Sequence, residues 1–339
     1  MLFTVLIQKE YVNKKVRDFD VIGFVSVVIF LPVLLFALSQ GNAATNSDGW
    51  SAPYILACFA ISIIAFSVFI TRELTAKHPL IDLRLLKDYN FGFSTMILFI
   101  FSLGMFGSTF LLPLYLQNSM GYTAMQAGMF FLPLGIIQGS ISPISGFLAT
   151  KINPKIPIAL GITLLGISFL INSHLSFLSE RSFIMTSLYI RGFAMGITFT
   201  PLSTLSLMSI TKDKMATASS ISNTIRQVAG SIGVAIFTTL LASRVNFHAQ
   251  VFGNAAQTGS QEFRNVMSNI VNHIQMTGGS TMATAVTQGK FLLASNISKQ
   301  AYIQGIDDDF LIAGIITLIA LIPTIILRTR KHTEEIKKA

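Results

Sequence analysis

The chain has 339 residues, 52% hydrophobic and 12% charged, with a mean hydropathy of +0.64. A soluble domain carries about 25% charged residues, so this composition describes an integral membrane protein. The net charge of +9 would suit nucleic acid, but it sits in the connectors between apolar runs and follows the membrane. No nucleic-acid partner is expected.

Residues 2–7 form a short apolar run followed by Lys9, Glu10, Lys14, Lys15, Arg17 and Asp18. A secretory signal has its basic residues first and its apolar stretch second. Residues 1–20 therefore read as a cytoplasmic remnant following a missing span. Phe19, Asp20 and Gly23 open the first complete span, which ends near residue 39. A polar loop then carries Trp50 at interfacial depth and leads to a second span over 53–70. Residues 21–72 thus form a two-helix hairpin.

A mixed-charge connector (73–92) precedes the third span, 93–116, and the fourth, 128–149. No charged residue lies between Asp88 and Lys151. Gly135, Gly139 and Gly146 fall on one face and predict close helix approach there. Lys151 and Lys155 flank a tight turn into the fifth span, 156–171, and the sixth, 183–208, carries Arg191.

The seventh span, 215–241, is abnormal because it holds Arg226 well inside. At 100° per residue, Ser219, Asn223, Arg226, Gln227, Gly230 and Gly233 share one face. Small and amide residues commonly join helices in lipid, and that reading stands beside a substrate pathway for Asn223 and Gln227. A charge at the bilayer centre costs at least ~2.5 kcal/mol, which weights Arg226 towards function. Residues 243–309 follow as a long external, periplasmic loop with amphipathic pieces and a Gly278–Gly279 turn. The last helix covers 310–328, and 329–339 is a basic cytoplasmic tail.

Charge fixes the expected topology. Only Arg181, Arg244, Arg264, Lys290 and Lys299 fall on one side, and Arg191 and Arg226 lie in spans. The other 17 of 24 Lys and Arg residues share the side of the N-terminus, which the positive-inside rule makes cytoplasmic. Both ends are then inside, which needs an even number of spans, and eight satisfies it. Pro32, Pro113, Pro133, Pro143, Pro201 and Pro323 fall within spans. Proline is tolerated in membrane helices, and transporters also break helices around central sites.

A family resemblance rests on Ala218, Ser219, Ser220, Asn223, Arg226, Gln227, Gly230, Gly233 and Ala235 in order. These resemble the penultimate helix of the fourteen-span EmrB/QacA-type drug:proton antiporters of the major facilitator superfamily. Phe19-Asp20 with Gly23, Pro113 to Gln117 and Leu132 to Gly135 are similar to other segments of that family. Tyr189, Arg191, Gly192 and Gly196 resemble the second-half counterpart of its Arg-x-x-x-Gly helix. Thr150 stands where its Gly-x-Leu-x-Asp-Arg loop has an aspartate.

The resemblance implies an all-α polytopic membrane protein of eight transmembrane helices, the first two (21–72) an inserted hairpin and the other six forming one transporter half. It further implies alternating-access efflux of amphiphilic or cationic compounds in exchange for protons, from a bacterial inner membrane. A missing N-terminal six-helix half is the expected partner, with membrane lipid around it and a periplasmic adaptor protein on the 243–309 segment. Gln138, Arg191, Asn223, Arg226 and Gln227 are the candidate substrate-binding residues; Arg191 equally suits bracing of a neighbouring helix through its backbone carbonyls.

A solute:proton symporter of the same superfamily and a non-transporting interaction subunit remain as alternatives. A membrane enzyme would need clustered carboxylates, His or nucleophiles, and the spans hold no Asp or Glu. His78, His174, His248, His273 and His332 are scattered without ligand-like spacing, and Cys58 is the single cysteine. No metal or other cofactor is expected. With every carboxylate assigned to loops, connectors or tail, the chain alone is expected not to couple transport to protons.

Overall fold

The computed structural model describes residues 20–41, 46, 48–76, 81–256, 261–278 and 281–327. The remnant before Asp20, Pro79 and the basic tail lie outside the described residues.

Among the described residues there are eleven α-helices, ten of which make up the eight expected spans. The hairpin is α1 (Val21–Gln40) and α2 (Pro53–Thr75). The third span is broken into α3 (Tyr89–Thr109) and α4 (Leu111–Asn118). Then come α5 (Ala124–Lys151), α6 (Lys155–Asn172) and α7 (Arg181–Met208). The long α8 (Met215–Ala255) is followed by α9 (Gln261–Gly278), α10 (Met282–Ile319) and a final turn, α11 (Leu321–Ile326). Eight of the described segments are long and apolar enough to cross a membrane.

Two prolines set two of the breaks. A proline has no N–H for the carbonyl four residues earlier. Thr109 ends α3 four residues before Pro113, and Ile319 ends α10 four residues before Pro323. Two other helix starts are capped: Asp88 accepts from Phe91 N at 2.9 Å, and Thr123 with Gln126 forms a reciprocal capping box on α5.

Ile97, Phe101, Tyr115, Phe169, Phe237 and Phe310 are fully buried and bring α3, α4, α6, α8 and α10 into one core. Many large apolar residues, such as Ile63, Ile136, Phe147 and Ile325, point outward. That inversion suits lipid, which solvates an apolar surface without cost. Gly233 makes a very tight approach: a Cβ there would lie 2.5 Å from Leu103 O on α3.

The connectors before α3 and after α7 meet at one end. Asp20 caps α1 through Gly23 N (3.1 Å) and pairs with Arg72 Nε (3.1 Å), tying the hairpin together. Arg84 Nη2 donates to Leu74 O at 2.8 Å, and Ser209 Oγ donates to Asp88 Oδ1 at 2.6 Å. At the opposite end, Tyr115 Oη donates to Ser176 O at 2.6 Å, and Asn118 Nδ2 donates to Tyr302 Oη at 2.9 Å.

Three expectations change. Residues 243–309 are mostly helical rather than loop. α8 has 41 residues and α10 has 38, each roughly 60 Å long at 1.5 Å per residue, about twice the hydrocarbon thickness. The amphipathic α9 buries Met267 and Val271 against Ala285 of α10, so this polar stretch is helical because helix packs on helix. Second, Gly135 and Gly139 meet nothing within 4 Å. Of the expected glycine face only Gly146 comes close to α7, where a Cβ would lie 3.0 Å from Thr200 Cγ2, and Gly196 of α7 adds a further close approach, 2.9 Å from Gln138 O. Third, carboxylates do occur within helices. Glu73 lies in the last turns of α2, and Asp307 and Asp309 lie in α10, all three buried. Hydropathy alone ends the spans at these residues, whereas the helices carry them inside the bundle.

Candidate functional site

The polar face of α8 divides between two clefts. Its helix turns successive residues by 100°, so Arg226 and Gln227 point to different neighbours. Arg226 faces α7: Nη2 donates to Asn223 Oδ1 at 2.9 Å, and the guanidinium lies 5.8 Å from the centroid of Phe199. With Ser203 and Ser206 of α7 and Ser219 and Ser222 of α8, it lines a narrow cleft of about 50 Å³ closed by Leu98 of α3. Ser206 Oγ is spent on Ser203 O at 2.8 Å, while Ser222 Oγ is buried without a hydrogen-bond partner. Arginine donors and a serine hydroxyl therefore remain for a ligand.

Gln227 faces α1. Together with Ser39, Phe36, Phe106, Ser231 and Thr238 it lines a cleft of about 590 Å³ between the hairpin and α8. That wall is apolar with scattered hydroxyl and amide groups, and it contains no charged side chain. Small-molecule sites combine these features: broad apolar contact with a few orienting polar groups. The arrangement can hold an amphiphile, its apolar body against Phe36 and Phe106 and its polar end near Gln227 and Ser231.

Asn223 and Gln227 are exposed and Arg226 is half-buried; Asn223 and Arg226 share the narrow cleft, and Gln227 lines the wider one on the other side of α8. The structure separates the other two expected residues from these. Gln138 is half-buried on α5 beside Gly196, outside both clefts. Arg191 is buried inside the α6–α7–α10 packing, 4.6 Å from the centroid of Phe169 and 5.7 Å from that of Phe310. Its Nε donates to Ser168 Oγ at 3.3 Å, and that hydroxyl donates to Ser187 O at 2.9 Å. Arg191 thus joins helices through a hydroxyl and two rings rather than through carbonyls.

Ser203, Ser206 and Ser222 of the narrow cleft escaped sequence reasoning, although Ser203/Ser206 and Ser222 with the expected Ser219 each sit at helical i, i+3 spacing. Gly230 and Gly233, expected on the polar stripe, pack on Phe106 and Leu103 and give α8 its closeness to α3.

A polytopic bundle with proline-broken helices and a polar, partly open helix face is the architecture of a multi-pass membrane protein built around a helix-lined cleft. Residues 11–234 match the family model described as Major Facilitator Superfamily, and the chain belongs to that family. It is 28% identical over 330 residues to the MFS-type transporter YhcA of Bacillus subtilis, covering 97% of this chain and 61% of that protein. It is 32% identical over 234 residues to the multidrug export protein EmrB of Escherichia coli, covering 68% of this chain and 45% of EmrB. The chain thus spans about half to three fifths of these relatives. A bacterial homologue of the human lysosomal transporter Spinster, in an inward-facing occupied conformation, shares the fold. Its TM-score is 0.53 at 14% identity, over 89% of this chain and 66% of that one.

Proposed function

We propose that this chain supplies the C-terminal part of a proton-coupled multidrug efflux transporter, exporting amphiphilic compounds by alternating access. The observation that carries this reading is the α8 face: Asn223, Arg226 and Gln227 front two clefts, one apolar and one serine-lined. Membrane transporters of this kind bind substrate between two helical halves and rock around it. The open surface at Gly135 and Gly139 of α5 suits a second six-helix half as the partner that closes the cavity. The similarity to EmrB, named a multidrug export protein, supports export over symport. The orientation that fits the basic connectors places both ends in the cytoplasm of a bacterial inner membrane. The α9–α10 hairpin then stands outside, where a periplasmic adaptor protein could dock.

Accumulation of a fluorescent amphiphile in energised cells tests the reading. Cells expressing the protein should hold less dye than cells carrying Arg226→Ala at equal membrane expression. Equal accumulation in both would remove Arg226 from the transport path.

A further inference from the structure

Three consecutive aspartates occupy one turn of α10, and the helix sends each in a different direction. Asp307 Oδ1 accepts from Leu175 N at 3.0 Å in the α6–α7 turn. Asp308 Oδ2 faces α8, 2.9 Å from His248 Nε2 and 3.6 Å from Arg244 Nε. Asp309 is fully buried, and neither of its carboxyl oxygens has a hydrogen-bond partner.

Its position follows from the helix repeat. One turn earlier, Gly305 packs on Val245 and Leu241 of α8; one turn later, Ala313 O lies beside Gly104 of α3. Residues four apart share a face, so Asp309 occupies the seam where α10 meets α8 and α3. The charged or titratable groups around that seam are few. α10 contributes Asp307 and Asp308, and α8 contributes Arg244 and His248. No charged residue exists from Tyr89 to Thr150, so α3 and α4 add only Tyr115, whose hydroxyl is bound to Ser176 O, and Tyr89, whose hydroxyl is bound to Ile326 O at the far end of the bundle. The one charged residue of α6, Lys155, reaches Ile325 O at the far end of the bundle.

An ionised carboxylate in this seam would lose its hydration and gain no donor in exchange, whereas the neutral acid gives up far less. We propose that Asp309 is a proton-binding site, carried as the neutral acid while the α3–α8–α10 seam is closed. When the seam opens to water, the O–H bond breaks, the proton passes to water, and the new carboxylate pairs with Arg244. Ionisable groups set among membrane helices characteristically serve such relays. The site stands on packing alone and holds for export or symport.

Infrared spectroscopy of the purified full chain distinguishes a carboxylic acid from a carboxylate. At about pH 7, well above the ordinary aspartate range, the protein should show a protonated-carboxyl band that shrinks in Asp309→Asn. That variant is the neutral isostere, so it should keep its folded yield. A native state that retains a proton the unfolded chain has released loses stability as pH rises above the unfolded value of about 3.9. The melting temperature of the native sequence should therefore fall more steeply with pH than that of Asp309→Asn. An unchanged band, parallel melting profiles, or an Asp309→Asn chain that fails to fold would each overturn the proposal.

Discussion

Arg226 and Asn223 form one unit on α8, the guanidinium donating to the amide oxygen three residues earlier at 2.9 Å. Asn223 thereby orients the only charged side chain on the walls of the two α8 clefts. Hydrogen bonds to charged groups contribute about 1.5–3 kcal/mol, so losing the arginine's contact should weaken transport about tenfold or more. Asn223→Ala should give a smaller loss, and adding it to Arg226→Ala should cost little further, because residues acting as one unit are not additive. Fully additive losses in a double-mutant cycle would show that the two act separately.

Arg191 should behave differently. It fills space between Phe169 and Phe310, so Arg191→Ala leaves a cavity and should cost about 2–4 kcal/mol of stability. Arg191→Met keeps most of the volume and removes a buried charge whose Nη1 and Nη2 are unpartnered; such exchanges are often neutral or stabilising. Thermal unfolding in detergent should therefore rank Met near the native chain and Ala well below. The reverse order would point to the charge rather than the packing.

The hairpin carries a pH dependence. The Gly23 backbone N–H chiefly, and then Arg72, hold the Asp20 carboxyl below the usual carboxylate range. A group depressed in the folded state stabilises above its unfolded pKa, and that contribution is lost as pH falls through the folded value. The α1–α2 pairing should be at full strength at neutral pH and weaken under acid. Asp20→Asn keeps a capping oxygen and loses the charge, so its stability should vary less between neutral and acid pH. Equal acid sensitivity of Asp20→Asn would place the dependence elsewhere.

Topology is open to direct labelling in a Cys58→Ser background. A cysteine at Gln261 in α9 should react with an impermeant thiol reagent added to intact cells, and one at Lys212 should not. Labelling of Lys212→Cys alone would invert the orientation.

The eight spans were legible because uninterrupted apolar runs of membrane length seldom occur outside a bilayer. The α8 stripe was legible as a helical period, and Asn223, Arg226 and Gln227 do front the clefts. Arg191 has the same chemistry as Arg226, but only its neighbours Phe169 and Phe310 show it to be internal. The extension of α8 and α10 was not legible, since polar sequence reads as loop unless a partner is known. Here the partners are His248 and Arg244 on one helix and Asp308 on the other. Asp309 was missed for the same reason: hydropathy stops at the aspartates, while the helix continues through them.

Cysteine accessibility along α8 tests the account most directly. If the Asn223–Gln227 face lines a substrate path, cysteines at both positions should react with a small charged thiol reagent in membranes. An amphiphilic substrate should slow both reactions, and a cysteine at the outward-facing Ile322 should stay unreactive throughout. Unreactive cysteines at 223 and 227, or reaction untouched by any amphiphile, would mean that this face only joins helices.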